Sequence, residues 1–273
     1  MVRINTLLSA LVLFSLSCLV NSEEINYLIV EDIAEPFQIA NDGQSKGGIV
    51  SDIVDQIFAD SSYTVKHRSL PLNRLYSVIE SGELKNWITY DAKVWSSLKQ
   101  WRQLVNEPLF PVNHTYLTCQ KEPLLQINSA DDIKQQRIAV IKGFDYPGLR
   151  ELSKRSQLEL VPVSNYVQGI SLAALSRVNG FVEMDLRVRY TLKTASIDQT
   201  CLQFVDMSPI IPAYSIYLST DKNDASGVNG FAKKRIKELK KSGFITEVLK
   251  RYTSPHTRLP ANSSAGLLKA EQG

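Results

Sequence analysis

The chain reads as an α/β protein of two lobes, each a mostly parallel sheet flanked by helices, with two hinge segments crossing between them. Three observations carry that expectation. A strand–helix–strand–helix–strand order fills the first part of the chain. The same kind of order restarts after Pro123. Two further helices then follow near the C-terminus, where the first unit still lacks core.

Residues 25–30 form a short β-branched apolar run and read as a strand. Ile49, Ile53 and Ile57, joined by Val50, Val54 and Phe58, make one helical stripe. Residues 63–67 alternate and read as the next strand. Pro71 suits a helix start, Leu75, Val78 and Ile79 suit its inner face, and Gly82 suits its end. Residues 87–90 read as a third strand. Beyond Pro123, Ser129-Ala130-Asp131-Asp132 resembles a capping box with Asp in the Glu position. Strands follow at 137–141, 158–163, 181–182 and 202–205. Lys142-Gly143 turns into one helix, and Tyr166, Ile170 and Leu175 lie in another. A strand at 214–219, a helix at 228–239, a break at Gly243 and a short helix at 244–252 complete the pattern. The last helices are expected to return to the first unit. The expected division is therefore a leader at 1–22, lobe 1 at 23–115 and 210–253, lobe 2 at 116–209 and a disordered tail at 254–273. The crossings are placed near 113–119 and 209–217.

Bulk properties narrow the class. Arg3 is the only charge before Glu23, and the run from Leu7 to Val20 is mostly apolar but short for a bilayer span. A positive start, an apolar middle and small residues at the end describe a cleavable signal peptide, cut after Ser22, with an uncleaved anchor as the alternative. Without Arg3 the chain carries 30 basic against 28 acidic residues, well mixed, which favours neither nucleic acid nor an acidic surface as partner. The basic run from Lys233 to Lys241 alternates with apolar residues and reads as a solvated helix face. After cleavage, Cys119 and Cys201 remain. In an oxidising compartment they most economically form one disulfide, with two buried thiols as the alternative. His67, His114 and His256 lack ligand spacing, and no Gly-rich phosphate loop occurs, so neither a metal nor a cofactor is expected.

Several motifs then line up in order. They are Glu35-Pro36-Phe37; Gly48 with Asp52; Leu70-Pro71-Leu72-Asn73-Arg74 followed by Glu80-Ser81-Gly82; Asp132-Ile133-Lys134 with Arg137-Ile138-Ala139-Val140; and Ser242-Gly243-Phe244 with Lys250-Arg251-Tyr252. From about Ile25 to Tyr252 the sequence resembles the bacterial family 3 solute-binding proteins, the amino-acid-type binding proteins of ABC importers with the type II periplasmic-binding fold. The chain departs from that pattern at Lys85, at Ser176-Arg177-Val178-Asn179 and at Phe144-Asp145, which counts against an ordinary α-amino acid as ligand.

The resemblance implies periplasmic capture of a small polar, amino-acid-like or carboxylate-bearing solute by lobe closure. It implies a monomer whose partner is an inner-membrane ABC permease or a sensor. A carboxylate ligand calls for a guanidinium. Arg102 lies near the family's carboxylate-binding Arg, with Lys99 competing, and Arg74 is a second candidate. Phe37 and Tyr90 stand at strand ends, where open α/β sheets place ligands. Phe144 and Tyr146 follow the glycine of the second lobe at a helix start. Asp185 lies near the family's amine-binding Asp, with Glu183 competing. Asp52 reads as structural. An enzyme on the same fold, of cyclohexadienyl dehydratase type and using Glu35, Asp145 or Asp185 as the acid, is the alternative to simple binding. A sensory partner without a transport role is another.

Overall fold

The computed structural model describes residues 23–253, apart from 123, 145 and 196. The expected leader and tail lie outside the described residues. No helix among the described residues is long and apolar enough to cross a membrane.

In chain order the elements begin with β1 (Glu23–Val30), a small hairpin of β2 (Ala40–Asn41) and β3 (Gln44–Ser45), α1 (Ile49–Phe58), β4 (Tyr63–Leu70), α2 (Leu72–Glu80) and β5 (Trp87–Ala92). Next come β6 (Arg102–Leu104), β7 (Phe110–Val112) and β8 (His114–Thr118). A 3-10 turn (Ala130–Ile133) leads to β9 (Arg137–Ile141), α3 (Pro147–Lys154), β10 (Glu159–Val163), α4 (Tyr166–Ala174), β11 (Gly180–Met184), α5 (Asp185–Thr194) and β12 (Gln203–Asp206). The chain closes with β13 (Tyr214–Asp221), α6 (Val228–Lys241) and α7 (Phe244–Thr253).

These elements build two sheets. The first has the order β4-β1-β5-β13-β6, with β7 also on β13; the second has the order β10-β9-β11-β8-β12. Both are mixed. Each has a parallel trio, β4-β1-β5 or β10-β9-β11, extended by antiparallel strands. The reason lies in the crossings. β8 enters the second sheet directly from the first, and β13 enters the first directly from the second. Each arrives without a crossover helix and so can pair antiparallel to its neighbour. The first crossing is short, since β7 ends at Val112 and β8 begins at His114. The expected boundary at 115/116 thus falls inside β8, all of whose pairing is with the second sheet.

Alternation along each strand covers both faces of each sheet. In β1, Ile25, Tyr27 and Ile29 pack with Ile49, Ile53 and Ile57 of α1 and with Val228, Ile236, Ile245 and Val248 of α6 and α7. Leu28 and Val30 face the other way, against Leu75 and Ile79 of α2. In β9, Ile138 and Val140 join Leu149 of α3, while Ala139 and Ile141 join Ile170 of α4 and Val188 of α5. Ser129 and Asp132 form the capping box that their spacing predicts.

Three hydrogen bonds fasten the C-terminal helix to the start of α1. Gly48 N–H donates to the Tyr252 hydroxyl at 2.8 Å, and Tyr252 Oη and Arg251 Nη1 both donate to Asp52 Oδ2, at 3.1 and 2.8 Å. Gly48 has φ 120°, and a Cβ there would stand 2.7 Å from the Phe37 carbonyl, so only glycine fits. In lobe 2 the Cys119–Cys201 disulfide, with a Cα–Cα distance of 5.1 Å, joins the end of β8 to the approach to β12.

Candidate ligand-binding site

Between the sheets lies a cavity of about 140 Å³. It sits at the carboxyl ends of β1, β5, β9 and β11, where open α/β sheets bind ligands. Lobe 1 contributes Tyr90 and Asp91 from β5, Trp95 and Ser97 from the following turn, and Tyr214 from the start of β13. Lobe 2 contributes His114, Phe144, Tyr146, Glu183 and Arg187.

An ion pair occupies the centre of the cleft. Arg187 Nη1 lies 3.2 Å from Glu183 Oε1, with both side chains almost wholly buried. Both oxygens of Glu183 are engaged: Oε1 also accepts from Met184 N–H at 2.9 Å, and Oε2 accepts from the Tyr146 hydroxyl at 2.7 Å. Burial raises the Tyr146 pKa, and the negative charge of Glu183 raises it further, so the phenol stays a donor. The Arg187 guanidinium is packed among aromatic rings, with Phe144 at 4.9 Å, Phe37 at 5.1 Å and Tyr166 at 5.6 Å from its carbon to the ring centroid. Its charge also acts on Tyr90 of lobe 1, lowering a phenol pKa that burial raises. Because Phe37 and Tyr90 belong to one lobe and Phe144 and Tyr166 to the other, Arg187 bridges the two. The Tyr166 hydroxyl adds a direct bond to the Ile33 carbonyl across the gap.

A second buried pair stands behind the lobe 1 wall. Arg102 Nε is 2.6 Å from Asp91 Oδ2, off the line of a hydrogen bond, so charge attraction rather than a directed bond holds it. Asp91 Oδ1 accepts from Ala92 N–H at 2.6 Å. Burial pushes the Asp91 carboxyl up to about 6, against the pull of Arg102 and of the backbone N–H. His114 packs edge-on to Tyr146 and tilted against Tyr214. Burial pushes its imidazole down, Glu183 opposes that, and Arg187 adds to it, so His114 is neutral near pH 7.

The expected site residues divide into two groups. Tyr90, Phe144 and Tyr146 line the cavity. Phe37 backs it, fully buried beneath Arg187. Arg74 is not brought there: it lies exposed on α2, with Nη2 at 2.7 and 2.9 Å from the two carboxylate oxygens of Glu83. Arg102 is in β6, where it is committed to Asp91 and to the carbonyls of Ala92 and Trp95. Lys99 is exposed. Asp185 opens α5 and pairs with Arg189 at 2.7 Å outside the cavity, while its competitor Glu183 lines it. Asp145 falls outside the described residues.

Arg187 is not among the residues that the sequence singles out. Its helix, α5, buries Arg187 and Thr191 alongside Val188, Tyr190 and Leu192. It therefore has no continuous apolar stripe, and periodicity does not mark it as a helix. One signal is present, namely the four-residue spacing of Glu183 and Arg187 at the end of an apolar strand.

No protein-family model matches the chain, and no curated protein matches it in sequence. The fold, however, is shared with solved structures. The substrate-binding protein of an amino acid ABC transporter aligns with a TM-score of 0.62 at 16% identity, covering 84% of this chain and 98% of that one. An ancestral cationic amino acid solute-binding protein gives 0.65 at 14% identity, covering 86% and 97%. The VFT2 domain of BvgS from Bordetella pertussis gives 0.65 at 15% identity, covering 84% and 93%. At such identities the likeness defines the fold: the chain has the two-domain α/β periplasmic-binding architecture, with mixed sheets flanked by helices.

Proposed function

We propose that the protein captures a small polar solute outside the cytoplasm by closing its two lobes, in the manner of a solute-binding protein serving an ABC importer. One observation carries this reading: polar and aromatic side chains from both lobes converge on a single cavity at the carboxyl ends of the parallel strands. Closure is favoured by any ligand that gains contacts with the closed arrangement which the open one lacks. The leader expected at 1–22 and the Cys119–Cys201 disulfide fit secretion into an oxidising compartment, and the periplasm is the expected location. The chain acts as a monomer delivering its solute to an inner-membrane permease or a sensor.

The test is a thermal shift screen across amino acids, polyamines, peptides and organic acids, with native mass spectrometry of the gently purified protein. At least one compound is expected to raise Tm, or to be retained. A folded protein that retains nothing and responds to no member of the panel contradicts the reading.

A further inference from the structure

The geometry points to Arg187 as the ligand's anchor, and to a small carboxylic acid without an ammonium group as the ligand; this rests on the binding role proposed above. Among the described residues two carboxylates line the cavity, and both are already neutralised. Glu183 holds Arg187 and Tyr146, and Asp91 holds Arg102 and the Ala92 N–H. Among the described residues, a ligand ammonium would find no uncommitted carboxylate and would have to displace a buried guanidinium to obtain one.

Of the unmet polar atoms at the cavity, Asp91 Oδ2 is faced by the Arg102 charge at 2.6 Å, and the two left over are on donor-bearing groups. Arg187 is 2% exposed, and its Nε–H finds no partner among the described residues. His114 is 6% exposed, its Nδ1 is likewise without a partner, and as a neutral ring it can donate from that nitrogen. Arg187 is packed among Phe37, Phe144 and Tyr166, so its planar donor edge is the part left to meet a guest. A planar acceptor such as a carboxylate matches that edge, and a buried donor left unmade is costly. Size sharpens the assignment. A cavity of about 140 Å³ is close to the ~150 Å³ that holds a benzene-sized molecule, so the guest has on the order of six non-hydrogen atoms. Three-carbon keto and hydroxy acids meet that limit.

Titration calorimetry at pH 7 with pyruvate, lactate, alanine and lactamide tests this with molecules of matched size. Pyruvate or lactate is expected to bind, with alanine and lactamide at least about tenfold weaker, the scale of one lost charge-assisted hydrogen bond. In an Arg187→Met/Glu183→Gln double variant, which removes both halves of the pair and so leaves no buried charge unpaired, binding of the acid is expected to vanish. Alanine binding as tightly as the acids overturns the inference about the ammonium, and lactamide binding as tightly overturns the carboxylate. Undiminished binding by a folded double variant overturns the role of Arg187. If only larger compounds bind, or are retained on purification, the size and class fall while the binding role stands. If nothing binds and nothing is retained, both fall.

Discussion

Glu183 illustrates how much a buried pair costs to break. Glu183→Gln leaves the Arg187 charge buried and uncompensated and is expected to destabilise the fold by about 3–5 kcal/mol in urea unfolding. Asp185→Ala, two residues on, removes only a partly exposed i,i+4 pair with Arg189 and should cost no more than about 1 kcal/mol, with ligand affinity unchanged. His114 gives a pH signature. Its folded pKa is depressed, so the unfolded chain binds more protons just below its normal value of about 6.5, and stability falls as pH drops through that value. Asp91, raised to about 6, contributes a slope of opposite sign between its unfolded value and 6. Comparing His114→Asn with the parent holds Asp91 constant, and the variant should show a flatter loss of stability between pH 7 and pH 5. At this scale the sequence is partly readable. Tyr90, Phe144 and Tyr146 can be placed because strand ends and a post-strand glycine mark where cleft residues fall. The protein partners of Arg74 and Arg102 are not legible, because a guanidinium reads the same in sequence whether its carboxylate belongs to a guest or to Glu83 or Asp91.

At the level of elements, periodicity reveals α1, α2, α4, α6 and α7, whose buried faces are apolar. It does not reveal α5, whose buried face includes an arginine and a threonine. Nor does it reveal the antiparallel pairing of β8 and β13, since strand direction depends on where the chain comes from and not on which side chains alternate. The join between α1 and α7 depends on a glycine that nothing can replace. Gly48→Ala would force a Cβ against the Phe37 carbonyl at a backbone angle that only glycine tolerates, and should lower stability by about 1–3 kcal/mol. The Cys119–Cys201 bridge closes a loop of 82 residues in sequence, and the paired Cys119→Ser/Cys201→Ser variant is expected to lose about 2–4 kcal/mol by denaturant titration.

Taken whole, the molecule consists of two sheets whose strand ends face one gap, and α5 is the element that spans it. Met184, Leu186 and Tyr190 from that stretch pack into the core of lobe 1, while Val188 and Leu192 pack into lobe 2. Any opening of the lobes therefore strips contacts from α5, and ligand binding should quiet segments on both sides of the gap together. Hydrogen exchange by mass spectrometry, with and without the panel compound that raises Tm most, measures this directly. Residues 89–98 and 214–217 of lobe 1 should gain protection together with residues 143–146 and 183–190 of lobe 2. Protection confined to one lobe, or appearing away from these segments, would contradict capture between the lobes.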